Sequence, residues 1–455
     1  MKLIKLHSIF NRLTIVIVMF GVLKTSAQLV LDNYVQEGLK SNRQFLKKQL
    51  ETKVSFQDKE IAKGQFYPTI FLDANYTVSN GGRTIDIPLG DLFNPIHSNL
   101  NNLNGNNQFP TNLNNVNEQF LPNNFHDTKV RIVQPILNSS IYYQYKASQS
   151  NLSASIAKEE AYKNQLKFEI TKAYYNYHKA LENKKILDST KRIIKDLERV
   201  NSKFVKYDIA TRDIIYNSKS QLFEIEAQIA SATREINTSK MFFNVLLNRD
   251  LNDAIISEEY NESSYVSNDL QNLEEQAINN RSDVKVLESS IEAFDFQLKK
   301  DKNYLIPNIS AVGDFGYQGF GFQFDKNQEY FLVSVNLNWP IFQGNKNRET
   351  YKKSQFIKSQ LEYELQDLMN TIKLQVNTAS LQLVEEQKVY EAQEANLESA
   401  KESFKIVMSK YKQQLIPLVE FNEARINFTN AQLKLSIAKY NIKIAEANLN
   451  RTLQL

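Results

Sequence analysis

The chain has 455 residues, with 55 Lys+Arg against 51 Asp+Glu and 42% hydrophobic residues, enough to bury a sizeable core. It has no cysteine, which excludes a disulfide scaffold, thiolate metal sites, a cysteine nucleophile and a lipid-modified N-terminal Cys; the four histidines (His7, His97, His126, His178) lie far apart and form no metal-ligand pattern. The 12 Gly and 9 Pro are together under 5% of the chain, and neither type occurs between Pro135 and Pro307. These residues cost about 1 and 3 kcal/mol in a helix interior, so stretches free of them predict very long helices and weigh against a glycine-turned α/β enzyme.

Lys2, Lys5 and Arg12 precede the apolar run Leu13–Leu23, and Thr25 and Ala27 follow as small residues. A run of eleven residues falls short of the roughly 20 needed to span a bilayer. The pattern predicts a secretory signal peptide, residues 1–27, cleaved before Gln28. Its removal takes four basic residues and no acid, leaving 51 of each sign. That balance does not present the basic face of a nucleic-acid binder. No later apolar run reaches 18 residues, so entry into a membrane would have to use strands.

Residues 28–62 read as helical and lead to Pro68, after which Ile70, Leu72, Ala74, Tyr76 and Val78 alternate with Asp73, Asn75 and Thr77. This period-two pattern predicts a strand over about 69–78. Residues 79–126 are Asn-rich, carry Pro88, Pro95, Pro110 and Pro122, and read as a long solvated loop. A second strand over about 127–135 sets Val130 and Ile132 against Lys129 and Arg131, and ends at Pro135. A helical hairpin follows over about 139–250, with Leu166, Ile170, Ala173, Tyr177 and Leu181 stepping by three or four. Its first arm, 139–206, would be about 100 Å long at 1.5 Å per residue.

The pattern then recurs. A polar connection (250–268) and a helical stretch (268–303) reach Pro307. Strands follow over about 308–317, where Ile309, Ala311, Phe315 and Tyr317 oppose Ser310 and Asp314, and over about 329–339, ending at Pro340. A second hairpin over about 345–453 carries the stripe Leu361, Leu365, Leu368, Ile372, Val376, Ala379 and Leu383. Pro340 stands 205 residues after Pro135 and Pro417 stands 206 after Thr211, whereas Pro307 stands 239 after Pro68; the insertion 79–126 accounts for the difference. The chain therefore divides into a first repeat (28–265) and a second (266–455), each strand–strand–long helical hairpin, with Pro68, Pro135, Pro307 and Pro340 at strand/helix junctions. The strands have membrane length, but four cannot close a membrane barrel, for which eight is about the smallest number; three copies would supply twelve. Asp73, Lys129, Arg131 and Asp314 would then face the barrel lumen, and Trp339, Tyr76, Tyr317 and Tyr330 are candidates for interfacial aromatic girdles.

Signal peptide, repeats and proline-marked junctions, with Gln134-Pro-Ile-Leu137, Trp339-Pro-Ile-Phe-Gln-Gly344 and the segment Tyr411–Arg425 as the most specific pieces, resemble the TolC-type outer membrane efflux proteins. The resemblance implies a mainly α protein with a small β part: a homotrimer in which a twelve-stranded outer membrane barrel continues as an α-helical tube through the periplasm. It implies an exit duct rather than an enzyme, without cofactor or metal, working with a periplasmic adaptor and an inner-membrane pump in efflux or type I secretion. Members carry two acidic residues one turn apart after the second hairpin tip, and Glu420 and Glu423 stand there, on one helix face. Tyr411 matches the gate-locking Tyr, but the accompanying Arg is replaced by Ile416; in the first copy Ile214 holds the acidic position, with Asp213 one residue earlier. Two other architectures share parts of this pattern. A periplasmic adaptor would have one hairpin between glycine-rich β domains, and a secreted coiled-coil protein would not explain four alternating strands.

Overall fold

The structure is a computed structural model that describes residues 26–256 and 270–454. All but the last two residues of the predicted signal peptide, and most of the predicted 250–268 connection, lie outside them. In chain order the elements are α1 (Ser26–Ser41), α2 (Arg43–Gly64), β1 (Thr69–Thr77), β2 (Thr84–Ile87), α3 (Leu89–Asn104), β3 (Val116–Gln119), β4 (Phe125–Leu137), α4 (Ser139–Lys206) and α5 (Asp213–Leu246). They continue as α6 (Leu270–Asn280), α7 (Ser282–Lys302), β5 (Asn308–Phe320), β6 (Glu329–Asn338), α8 (Lys346–Lys412) and α9 (Leu418–Leu453). No helix among the described residues is long and apolar enough to cross a membrane.

The chain divides into two units. The helical unit takes in the residues up to Phe56, Ser150–Glu292, and those from Lys358 on. Two main clusters form its core. Leu166, Ile170, Ala173 and Tyr177 of α4 pack with Phe243 and Leu247, at the end of α5, and with Tyr34 and Phe45. Ile372, Val376, Ala379 and Leu383 of α8 pack with Leu449 and Leu453 of α9 and with Leu273 and Val284. These are the predicted stripes, and the two clusters occupy matching positions: the α4/α8 and α5/α9 members differ by 206 in number, Tyr34/Leu273 and Phe45/Val284 by 239. The helical stretches before each strand are broken once, at Asn42 and Arg281. Asn42 accepts a hydrogen bond from the Phe45 amide (3.0 Å), capping α2, and donates to the Leu246 carbonyl (2.9 Å).

The two clusters solve one packing problem differently. A Cβ on Gly38 would lie 2.3 Å from Ile170 Cδ1, so this buried helix position takes glycine. In the second cluster the matching positions hold Ala277 and Val376, so that a methyl on one helix accompanies a shorter side chain on the other. Gly38→Ala is therefore expected to lower stability by about 1–3 kcal/mol through overpacking. Combined with Ile170→Val it should recover that loss, because the helix gains about 1 kcal/mol from Ala over Gly. Denaturation midpoints of the two variants check this; equal losses in both would remove the explanation.

The second unit comprises Gln57–Gln149 and Ala293–Ile357. Its four-stranded antiparallel sheet has the order β1-β4-β5-β6, which leaves β1 and β6 as edges. Pro68 and Pro307 immediately precede β1 and β5, and Pro340 follows β6. Pro135 does not stand at a junction: it lies inside β4, where the register with β5 shifts between Pro135 and Leu137. A proline in a central strand lacks a ladder donor, and an irregularity of this kind accommodates it. The helix begins only at Ser139, capped by Asn138, whose Oδ1 accepts from the Ser140 amide at 3.0 Å.

Residues 79–126 are not the solvated loop that their composition predicts. They contain β2 paired with β3, and the four-turn helix α3 between them. Two features hid the helix in the sequence. Pro88 sits at its N-cap and Pro95 inside it, and the polar positions are filled by Asn, whose side chains stand in for backbone pairing. Asn94 exchanges two 2.8 Å hydrogen bonds with the backbone of Leu113, and Asn101 exchanges two with Phe109 (2.8 and 2.9 Å). Gly90 allows the approach, since a Cβ there would lie 2.2 Å from the Leu113 carbonyl oxygen; Gly105, at φ 68°, ends the helix.

Candidate functional site

Two places collect the predicted functional residues, one in each unit. In the sheet, residues directly opposite in antiparallel register share a face. Asp73 faces Lys129, and Arg131 faces Asp314, so all four predicted lumen residues lie on one face. Arg131 grips Asp314 with two hydrogen bonds of 2.7 Å, and the Asp314 side chain is only 4% exposed. Asp127 and Tyr330 join them, although the sequence reading gave neither this place. Lys129 pairs with Asp127, and the Tyr330 hydroxyl donates to Asp127 at 2.9 Å. Tyr330 thus belongs to the polar face rather than to an aromatic girdle. Asp127 was within reach of the alternation that selected Lys129 and Arg131, being two residues before Lys129 on the same parity.

The opposite face carries Ile70, Leu72, Val130, Ile132, Phe315, Phe331, Val333, Val335 and Leu337, all exposed, with Leu72 at 71% and Phe331 at 72%. This is the reverse of a soluble sheet. The charged face holds paired, part-buried groups, while the open face is apolar and exposes far more than isolated surface leucines do.

In the helical unit the tips of the two hairpins come together. Tyr411, near the end of α8, is buried and its hydroxyl donates to Asn201 Oδ1 of α4 at 2.5 Å. Asn201, fully buried, donates in turn to Ser218 Oγ of α5 at 2.7 Å. One and two turns into α9, Asn422 donates to Asn217 (3.3 Å) and Arg425 to Gln221 Oε1 (3.1 Å). Thr190 and Thr429 meet at 3.1 Å. Leu197, Phe404, Tyr411 and Phe421 pack around this seam. Burial pushes the Tyr411 phenol up, partly offset by its bond to Asn201, and pulls the Arg425 guanidinium down.

The predicted carboxylates stand apart from the seam. Glu420 and Glu423 are exposed in the first turns of α9, one turn apart, and neither makes an ion pair among the described residues. Asp213 opens α5, exposed, and accepts a hydrogen bond from Thr211. Tyr411 is therefore the one predicted gate residue built into the interhelix contacts. Its partner Asn201 was not legible, because an Asn inside a long polar helix carries no mark of a contact 210 residues away. Arg425 was equally hidden, because nothing in the sequence sets this charge apart from the solvated ones on the same helix.

A sheet with an exposed apolar face and a charged one, in a chain with two long helical hairpins, is similar to the class of outer membrane channels. Solved structures of that class share the fold. The Campylobacter jejuni CmeC outer membrane channel is 16% identical with a TM-score of 0.77, covering 93% of this chain and 85% of that one. The outer membrane protein VceC from Vibrio cholerae is 14% identical with a TM-score of 0.75, covering 93% and 95%. The open state of the Neisseria gonorrhoeae MtrE outer membrane channel is 14% identical with a TM-score of 0.75, covering 93% and 88%. No curated protein matches the sequence. Residues 273–453 match the family model described as outer membrane efflux protein. The matched segment takes in nearly all of the second repeat, and it is this part of the chain that is similar to outer membrane efflux proteins.

Proposed function

We propose that three copies of this chain form one efflux duct, a twelve-stranded barrel continued by a helical tube. Substrates delivered by an inner-membrane pump through a periplasmic adaptor would cross it passively. The observation that carries this reading is the four-stranded sheet with one apolar face and two free edges. Four strands are too few to close a membrane barrel alone, and open edges are not tolerated in lipid. Because β1 and β6 run antiparallel to each other in this order, β6 of one copy can pair with β1 of the next, and three copies close an antiparallel ring without an edge. Exposed apolar residues seven apart on the helices, Tyr216 and Phe223 on α5 and Leu374 and Leu381 on α8, supply seams for neighbouring hairpins. The sequence repeat supports the same architecture, since six hairpins of near-equal length make a more even wall than three.

In this trimer Glu420 and Glu423 stack two rings of three carboxylates at the periplasmic end, attracting cations. Replacing both with Gln should lower cation selectivity in a planar bilayer several-fold and leave the trimer intact. Unchanged selectivity from an intact trimer would remove the carboxylates from the gate. A monomer in detergent extracts of outer membranes would remove the duct.

A further inference from the structure

Helix α3 faces the wrong way for an exposed helix. Leu89, Leu92, Phe93, Ile96, Leu100 and Leu103 fall within an arc of about 100° at 3.6 residues per turn, and all six are exposed, Leu103 at 82%. The neighbouring side of the helix, with Gly90, Asn94, His97 and Asn101, is the side used internally. It is tied to residues 109–113 by the Asn hydrogen bonds described above and by His97 Nδ1 to the Pro110 carbonyl at 2.7 Å. Nothing among the described residues covers the apolar stripe.

The topology places this helix at the far end of the sheet. It lies in the connection from the end of β1 to the start of β4, whereas the other ends of these strands lead through Pro68 and Asn138 to the helices. In a trimeric duct, on which this inference rests, that end is the outer mouth. β1 is also an edge strand, so each α3 hangs from the strand that meets the next copy.

The choice of occupant follows from charge and size. Residues 79–126 carry one basic residue, Arg83, against Asp86, Asp91 and Glu118. A helix that lies in a lipid headgroup layer needs Lys or Arg on its polar side, and this one has neither. A separate protein partner would need about 800 Å² on each side for a stable contact, more than one four-turn helix presents. A stripe this small is sufficient only where another interface already holds the partners together. We propose that the α3 helices of the three copies pack their apolar stripes against one another and narrow the outer mouth, forming a constriction separate from the periplasmic tip.

The absence of cysteine makes the test direct. Ile96→Cys places a single thiol in the stripe, and Ser98→Cys places one on another side of the same helix. Both full-length variants would be oxidised in isolated outer membranes, and their trimer content measured in the same samples. The expected result is disulfide-linked chain pairs from Ile96→Cys and at least tenfold fewer from Ser98→Cys. Ile96→Ser with Leu100→Ser should raise single-channel conductance at least twofold. A trimer in which the Ile96→Cys chains do not cross-link, or link no better than the Ser98→Cys chains, overturns the inference and leaves the duct standing. Quenching by brominated lipid of a fluorophore attached to the thiol of the Ile96→Cys variant would overturn it in favour of a lipid-covered helix. Absence of the trimer would overturn both readings.

Discussion

Asn201→Ala is expected to loosen the hairpin tips and raise single-channel conductance, with a local cost of about 2–4 kcal/mol, because each buried polar group left unsatisfied costs about 1–3 kcal/mol. Asn201 is fully buried and bonds in three directions, accepting from the Tyr411 hydroxyl and donating to Ser218 Oγ and, at 3.4 Å, to the Ile214 carbonyl. Removing its amide strands these partners where water does not reach them. Ser218 retains its own bond to the Ile214 carbonyl (2.9 Å), so the loss falls mainly on Tyr411, the group that links the second hairpin to the first. Tyr411→Phe should act in the same direction at about 1 kcal/mol, since it removes one bond and keeps the ring packed against Phe421 and Phe204. Hydrogen exchange along residues 195–215 and bilayer conductance measure the effect. Exchange as slow in Asn201→Ala as in the parent chain would show that the tip is held by packing alone.

Arg131→Ala is expected to destabilise the sheet, because it removes one partner of a part-buried ion pair held by two hydrogen bonds. The cost does not come from losing an attraction between exposed charges. It comes from leaving Asp314, with a side chain 4% exposed, without the two guanidinium donors that satisfy its oxygens. Arg131→Ala with Asp314→Ala should therefore recover most of the loss, a coupling that a double-mutant cycle isolates. Arg131→Lys should recover only part, because an ammonium does not reproduce the two-pronged geometry. The temperature at which the folded species gives way to the unfolded one on gels provides the readout. Equal losses for the single and the double variant would mean that the arginine stem, not the pair, supports the sheet.

Most of the secondary structure was legible because its signals are local. Alternation along Ile70–Val78 and Phe331–Leu337 marked strands with one apolar face, and the absence of Gly and Pro after Pro135 marked the long helices. The stripe Leu166–Tyr177 and its counterpart Ile372–Leu383 occupy the cores they suggested. Where local signals conflict, the reading failed. Prolines and asparagines across 79–126 outweighed a well-formed apolar stripe, because Pro95 disfavours a helix interior and Asn favours turns, while the side-chain bonds that reverse the balance exist only once residues 109–113 fold back. Pro135 marked a boundary correctly to within four residues, but a strand irregularity let β4 run past it.

The candidate sites divide along the same line. Sequence periodicity set Asp73, Lys129, Arg131 and Asp314 each opposite the apolar side of its own strand, because neighbouring side chains on a strand point to opposite faces; register then put all four on one face. Periodicity did not say that Arg131 pairs with Asp314 across 183 residues while Lys129 turns to Asp127 two residues away; strand register decided that. By itself the sequence determined the long helices, the four main strands and their amphipathic faces, all of which follow from spacing along one chain. The tertiary structure alone decided the Asn201–Tyr411 link, the Gly38/Ile170 fit and the outward-facing stripe of α3. Each depends on the distance between groups far apart in sequence, and that distance exists only after the hairpins and strands have packed.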